Sequence, residues 1–83
     1  MIEIDVHRLP VEILADCHKR GLVVKSLPYT GNDPRRDRKH WHIRRPEGPG
    51  TLELTEQTDR GWFTVKPYWD AGWATALARK LSS

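Results

Sequence analysis

The chain has 83 residues, of which 37% are hydrophobic and 30% are charged, with 14 Lys and Arg against 11 Asp and Glu. This length predicts one small domain over residues 1–83, and the lack of a long apolar run excludes a membrane-spanning helix. The single cysteine, Cys17, excludes an internal disulfide and a cysteine-built metal site. Four Trp, two Tyr and one Phe favour a folded chain over a disordered one.

The first residues alternate between apolar and acidic side chains, as Ile2, Ile4 and Val6 are separated by Glu3 and Asp5. This start lacks the basic and apolar regions of a secretory signal, so we expect a cytoplasmic protein. The period of two also predicts an optional N-terminal strand over 2–6.

A helix is predicted over 9–20. Pro10 suits a first helical turn, where its missing N–H has no partner to lose. Leu9, Ile13 and Cys17 recur every four residues and form one apolar stripe, and Gly21 is a typical residue just beyond a helix end.

Alternating segments separated by turn residues then predict four strands, at 22–27, 40–45, 51–56 and 62–66. The segment 29–39 combines turn residues with charges and predicts a flexible basic loop. A final helix over 70–81 is predicted from the spacing of Trp73, Leu77 and Leu81, with Asp70 as its cap.

The resulting order is α-β-β-β-β-α, with the optional strand over 2–6 in front. Short turns between the last three strands predict an antiparallel meander of three or four strands. The N-terminal and C-terminal helices should pack on one face of this sheet, which gives a two-layer α+β sandwich. Because so small a chain buries little surface, a homodimer is a reasonable expectation.

The period of two assigns side chains to the two sides of the sheet. The side predicted to face the helices is apolar and consists of Trp41, Ile43, Leu52, Leu54, Phe63 and Val65. The opposite side is predicted to carry His40, His42, Arg44, Glu53, Thr55, Trp62, Thr64 and Lys66. On that side Trp62 either packs over neighbouring groups or provides a flat surface for a base or a partner protein.

The positive charge is concentrated in residues 35–45. Six basic side chains against one acidic side chain give this segment a charge of +5, and they are Arg35, Arg36, Arg38, Lys39, Arg44 and Arg45 against Asp37. Such a run is either a solvated loop or a surface for an anionic partner.

The primary hypothesis is a small nucleic-acid-binding module for RNA or DNA rather than an enzyme. The binding residues would be Arg35, Arg36, Arg38, Lys39, His40, His42, Arg44, Arg45, Trp62 and Lys66. The alternative is a protein-interaction module, a regulator or inhibitor whose same residues contact an acidic protein surface. No membrane partner or cofactor is predicted. No metal is predicted either, since the two histidines of His40-Trp41-His42 would need a third and a fourth donor, of which only Glu53 could approach.

A third hypothesis is a metal-independent ribonuclease, in which His40, His42 and Glu53 supply the acid and the base. Helix, strands and helix in this order, the helix exit Lys19-Arg20-Gly21-Leu22-Val23-Val24 and a histidine in a basic second strand resemble double-stranded-RNA-binding domains. The HicA-type toxins, which are ribonucleases, share that architecture. The chain differs from them in its insert 29–39, in Trp41 between the histidines, in Lys39 before His40 and in an added strand at 62–66.

Overall fold

A computed structural model describes residues 1–27 and 38–83 of the chain. These residues form five strands and two helices. In chain order they are β1 (Ile2–Val6), α1 (Pro10–Lys19), β2 (Val23–Leu27), β3 (Arg38–Arg44), β4 (Leu52–Gln57), β5 (Arg60–Val65) and α2 (Ala74–Leu81). The predicted α+β sandwich is confirmed, and the optional strand over 2–6 is present as β1.

The sheet is antiparallel throughout, with strand order β1-β5-β4-β3-β2. Strands β2 to β5 form the predicted meander, and β1 adds to its far edge by pairing with β5, where Ile4 lies opposite Phe63. The end of the chain lies beside this edge, because the amide of His7 donates to the carbonyl of Ser82 at 2.9 Å.

Both helices cover the same side of the sheet. The buried core joins Ile13 and Cys17 of α1 and the apolar stripe of α2 to one side of β3, β4 and β5; the sheet members are Ile43, Leu52, Leu54, Phe63 and Val65. Trp41 is half-buried beside this cluster. The predicted apolar side is therefore confirmed. Neither of the two helices that the structure describes therefore lies on the opposite side of the sheet.

Helix α2 begins at Ala74, four residues later than predicted. The reason is local, because Ala71 and Gly72 have φ angles of 49° and 81° and a right-handed helix cannot pass through them. Asp70 nevertheless acts on the helix start, since its carboxylate accepts a 2.8 Å hydrogen bond from the amide of Thr75.

The predicted basic loop 29–39 also ends earlier than expected. Arg38 and Lys39 belong to β3, which pairs with β4 from its first residue, Arg38 opposite Gln57. Residues 29–37 of the predicted loop lie outside the described residues. Within 1–27 and 38–83, neither helix has the length and apolar character needed to cross a bilayer.

Candidate functional site

The side of the sheet opposite the helices is mostly polar, and we call it the open face. Cross-strand pairing sets its side chains in rows: His42, Glu53 and Thr64 form one row, and His40, Thr55 and Trp62 form the next. It carries Glu3, Asp5, Lys25, Arg38, His40, His42, Arg44, Glu53, Thr55, Arg60, Trp62, Thr64 and Lys66. All eight side chains predicted for this side lie on it.

A carboxylate lies between the two histidines at the centre of the open face. The Nε2 atom of His42 is 3.0 Å from Oε2 of Glu53, and the Nδ1 atom of His40 is 3.9 Å from Oε1. His40 Nδ1 is also 3.1 Å from the hydroxyl oxygen of Thr55. Because an ionised carboxylate only accepts hydrogen bonds, this contact assigns a hydrogen to Nε2 of His42. The three side chains remain 19–31% exposed, so a ligand in solution can reach them.

Trp62 lies on the open face, but its ring is covered. The guanidinium carbons of Arg60 and Arg38 lie 4.6 Å and 5.3 Å from the ring centroid, and Trp62 is only 7% exposed. Arg38 also donates to Oε1 of Gln57 and Arg60 to Asp5, both at 2.9 Å. The ring thus supports two cations in fixed positions, which is a different arrangement from an exposed surface for a base.

A second aromatic group lies at the other end of the open face. The Trp69 ring contacts His42 edge-on with centroids 5.5 Å apart, and the ammonium of Lys66 lies 4.8 Å from the Trp69 centroid. The amide of Thr51 donates to the carbonyl of Trp69 and fixes this irregular segment against β4. Next to it Tyr68 is 81% exposed. No regular pattern in the sequence places these two aromatic residues, because they follow Pro67 outside any strand or helix.

Among the described residues, the open face has five cations against three carboxylates, not counting the histidines. Arg60 is paired with Asp5, while Lys25, Arg44 and Lys66 are exposed and form no ion pair with any described residue. Lys25 and Arg60 were missed by the sequence analysis. The alternation did not single out Lys25, because it shares its side of the strand with the apolar Val23 and Leu27. Arg60 was identifiable as the residue two before Trp62.

The predicted basic run of 35–45 is divided between the two sides of the sheet. Arg38, His40, His42 and Arg44 lie on the open face. Lys39 instead lines a groove with Trp41 and the start of α1, and the guanidinium of Arg45 lies 5.4 Å from the Trp73 ring beside α2. Arg35 and Arg36 lie outside the described residues. The run therefore does not form one continuous patch in the part of the chain that the structure describes.

Two hollows open on this face. One, of about 290 Å³, is lined by His40, Glu53, Trp62 and the three cations Arg38, Arg60 and Lys66, together with Met1, Glu3, Thr55 and Thr64. The other, of about 270 Å³, is lined by Val23, Lys25, Leu27, His42 and Arg44. The two histidines therefore line neighbouring hollows, and Glu53 lies between the histidines.

Metal and thiol chemistry receive no support from the described residues. Among residues 1–27 and 38–83, no group of three or more His, Cys, Asp or Glu side chains is arranged to hold a metal ion. Burial among apolar groups raises the pKa of the Cys17 thiol to about 11, so this thiol stays protonated and unreactive at neutral pH.

Comparison with protein-family models, with curated proteins and with solved structures found no significant match. These comparisons therefore give no support to the resemblance to double-stranded-RNA-binding domains and HicA-type toxins.

Proposed function

We propose that this protein binds single-stranded nucleic acid across the open face. The observation that carries the proposal is a set of exposed cations, Lys25, Arg44 and Lys66, that form no ion pair with any described residue. They lie on the side of the sheet opposite the two helices of residues 1–27 and 38–83. A cation without a carboxylate partner loses little when it exchanges its counterions for a phosphate, so such groups are favourable phosphate contacts.

The dimensions of the open face suit an extended strand of nucleotides. Arg38 and Arg44 mark the two ends of β3, six residues apart, which corresponds to about 20 Å along a strand. The central region between them offers polar side chains that can bond to bases or sugars, among them His40, Thr55 and Thr64. A chain of phosphates crossing the face would contact cations at both ends.

The aromatic residues favour single strands over duplexes. Tyr68 is 81% exposed next to Lys66 and Trp69, and stacking on such a ring requires an unpaired base. Trp62, covered by two guanidinium groups, would contribute indirectly by holding Arg38 and Arg60 toward the ligand. The proposed partner is RNA or DNA, and the proposed location is the cytoplasm.

The test is a titration of labelled single-stranded RNA and DNA oligonucleotides by fluorescence anisotropy, over about 50 to 200 mM salt. We expect affinity to fall steeply with salt for the natural protein. A variant in which three cations of the open face are neutralised should lose roughly 0.7 units of the log–log salt slope per lost contact, or about 2 units in all. At about 0.1 M salt this corresponds to an affinity about 100-fold weaker. The substitutions are Lys25→Gln, Arg44→Gln and Lys66→Gln.

A matched control removes the same charge from the helix layer. Its substitutions are at exposed positions, Lys19→Gln, Arg79→Gln and Lys80→Gln, and it should keep the salt slope of the natural protein. Equal losses in both variants would show that net charge, rather than the open face, drives binding. If the natural protein binds neither RNA nor DNA at low salt, the proposal is wrong, and an acidic protein becomes the partner to seek with the same variants.

A further inference from the structure

The larger hollow of the open face brings together a carboxylate, an imidazole and three cations. Glu53 and His40 lie near its centre, while Arg38, Arg60 and Lys66 surround them. Reactions at a phosphodiester need a group that removes a proton, a group that supplies one, and positive charge where the phosphoryl oxygens become more negative. All three requirements are present within one hollow of about 290 Å³.

The hydrogen bonds around this pair leave one atom on each partner available. Oε2 of Glu53 accepts a hydrogen bond from His42 at 3.0 Å, whereas Oε1 makes no hydrogen bond with a described residue and has only Nδ1 of His40 at 3.9 Å, so Oε1 is the oxygen better placed to accept a proton. His40 contacts Thr55 through Nδ1, and its Nε2 atom has no partner among the described residues. The carboxylate of Glu53 and the imidazole of His40 are thus positioned by neighbouring side chains, and they form no hydrogen bond with each other.

We infer that this hollow cleaves single-stranded RNA by transesterification, an activity that rests on the proposed function because the RNA must first lie across the open face. Oε1 of Glu53 removes the proton of a ribose 2′-hydroxyl, and the 2′-oxygen attacks the adjacent phosphorus. A bond forms between O2′ and phosphorus, and the bond between phosphorus and O5′ breaks. Protonated His40 gives its Nε2 proton to O5′ as that oxygen leaves.

The products are a 2′,3′-cyclic phosphate and a 5′-hydroxyl end, and the atoms balance without water, an oxidant or another reactant. Glu53 and His40 return to their starting states by exchanging one proton each with solvent. The guanidinium groups of Arg38 and Arg60 face the negative charge that develops on the phosphoryl oxygens, and the Trp62 ring holds both guanidinium groups in place before the reaction begins.

Nucleic acids without a 2′-hydroxyl provide a control for the proposed cleavage. DNA and 2′-O-methyl RNA carry the same phosphates but have no 2′-hydroxyl, so both should bind the open face and remain intact. Cleavage of DNA would contradict the inference directly.

The experiment incubates end-labelled single-stranded RNA with the protein in the presence of a chelator, and identifies product ends by gel electrophoresis and mass spectrometry. Glu53→Gln and His40→Gln should each lower the cleavage rate at least about 100-fold, while RNA affinity by anisotropy changes only a few-fold. Matched controls on exposed positions of the helix layer, Glu12→Gln and His18→Gln, should cleave at the natural rate. Because Glu53 and His40 lie on different strands, a folding failure in one variant leaves the other as the test.

Each outcome is decisive. Intact RNA with the natural protein bound to it overturns the nuclease and leaves the binding function standing. Cleavage that persists unchanged in Glu53→Gln and His40→Gln, both folded, also overturns it, since the activity then comes from elsewhere. If RNA does not bind at all, the proposed function fails first and the nuclease fails with it.

Discussion

The turn before β4 provides a stability prediction with a matched control. Gly50 has a φ angle of +104°, and a Cβ atom added there would lie 2.5 Å from Nε1 of Trp73 and 2.9 Å from Cβ of Ala71. The same Nε1 atom donates a 2.9 Å hydrogen bond to the carbonyl of Pro49. The substitution Gly50→Ala should therefore both strain the backbone and displace the Trp73 ring.

The expected cost follows from these two effects. A positive φ costs an L-residue roughly 1–2 kcal/mol, and loss of the indole hydrogen bond adds about 1 kcal/mol. Gly50→Ala should thus lower the free energy of unfolding by about 2–3 kcal/mol. The total stability of a chain of 83 residues is roughly 4–12 kcal/mol, so the change should be plain in a urea denaturation curve.

Gly21 separates the backbone effect from the contact with Trp73. It also has a positive φ, +77°, but a Cβ atom there would meet no other atom within 4 Å. Gly21→Ala should therefore cost only the roughly 1–2 kcal/mol of backbone strain. Equal losses in the two variants would refute the reasoning, because they would show that Trp73 moves aside freely and that its bond to Pro49 contributes nothing.

Two further predictions concern buried side chains. In a double-mutant cycle of Trp62→Leu and Arg60→Gln, measured by urea denaturation, the coupling energy should be about 0.5–1 kcal/mol, as for an exposed cation over a ring. A coupling energy of zero would show that the contact between the guanidinium and the ring does not stabilise the fold. Burial raises the pKa of the Cys17 thiol from 9.0 to about 11, so this thiol ionises at a lower pH in the unfolded chain than in the folded one. The contribution of the protonated thiol to the free energy of unfolding is therefore complete below about pH 9 and is lost as pH rises toward 11. Between neutral pH and about pH 10 the natural protein should lose about 1 kcal/mol more than Cys17→Ala, and parallel curves for the two proteins would contradict the assignment.

The two sides of the sheet could be predicted from the sequence because errors of one or two residues in the strand ends do not change them. Strand β5 begins at Arg60 rather than at Trp62, yet Phe63 and Val65 still face the helices. Successive side chains alternate regardless of where the strand starts, and a change of side would have placed apolar groups in water. The same alternation identified Ile2–Val6 as a strand. Its partner, β5, could not be predicted because the pairing joins residues about sixty positions apart, and no local pattern encodes that distance.

The position of charge was harder to predict than the position of apolar groups. Clustering along the chain suggested one patch at 35–45, but strand alternation sends Lys39 and Arg45 to the helix side. Other strands contribute further cations to the open face, since Lys25 lies opposite His42 and Arg60 lies beside Trp62. Which charges become neighbours depends on cross-strand register, and register is set by the core rather than by the charges themselves.

The covered ring of Trp62 gives the two ends of the open face different properties. At one end Arg38 and Arg60 are held by the ring, by Gln57 and by Asp5, and cations that need no reorganisation stabilise developing charge most effectively. At the other end Lys66 and Arg44 are long, exposed side chains that form no ion pair with any described residue, which suits the capture of phosphates. The proposed cleavage site adjoins the first end, where Glu53 and His40 line the same hollow as the held guanidinium groups. An RNA captured by Lys66 and Arg44 would thus extend toward Arg38 and Arg60, and neutralising Arg44 should weaken binding more than it slows cleavage of bound RNA.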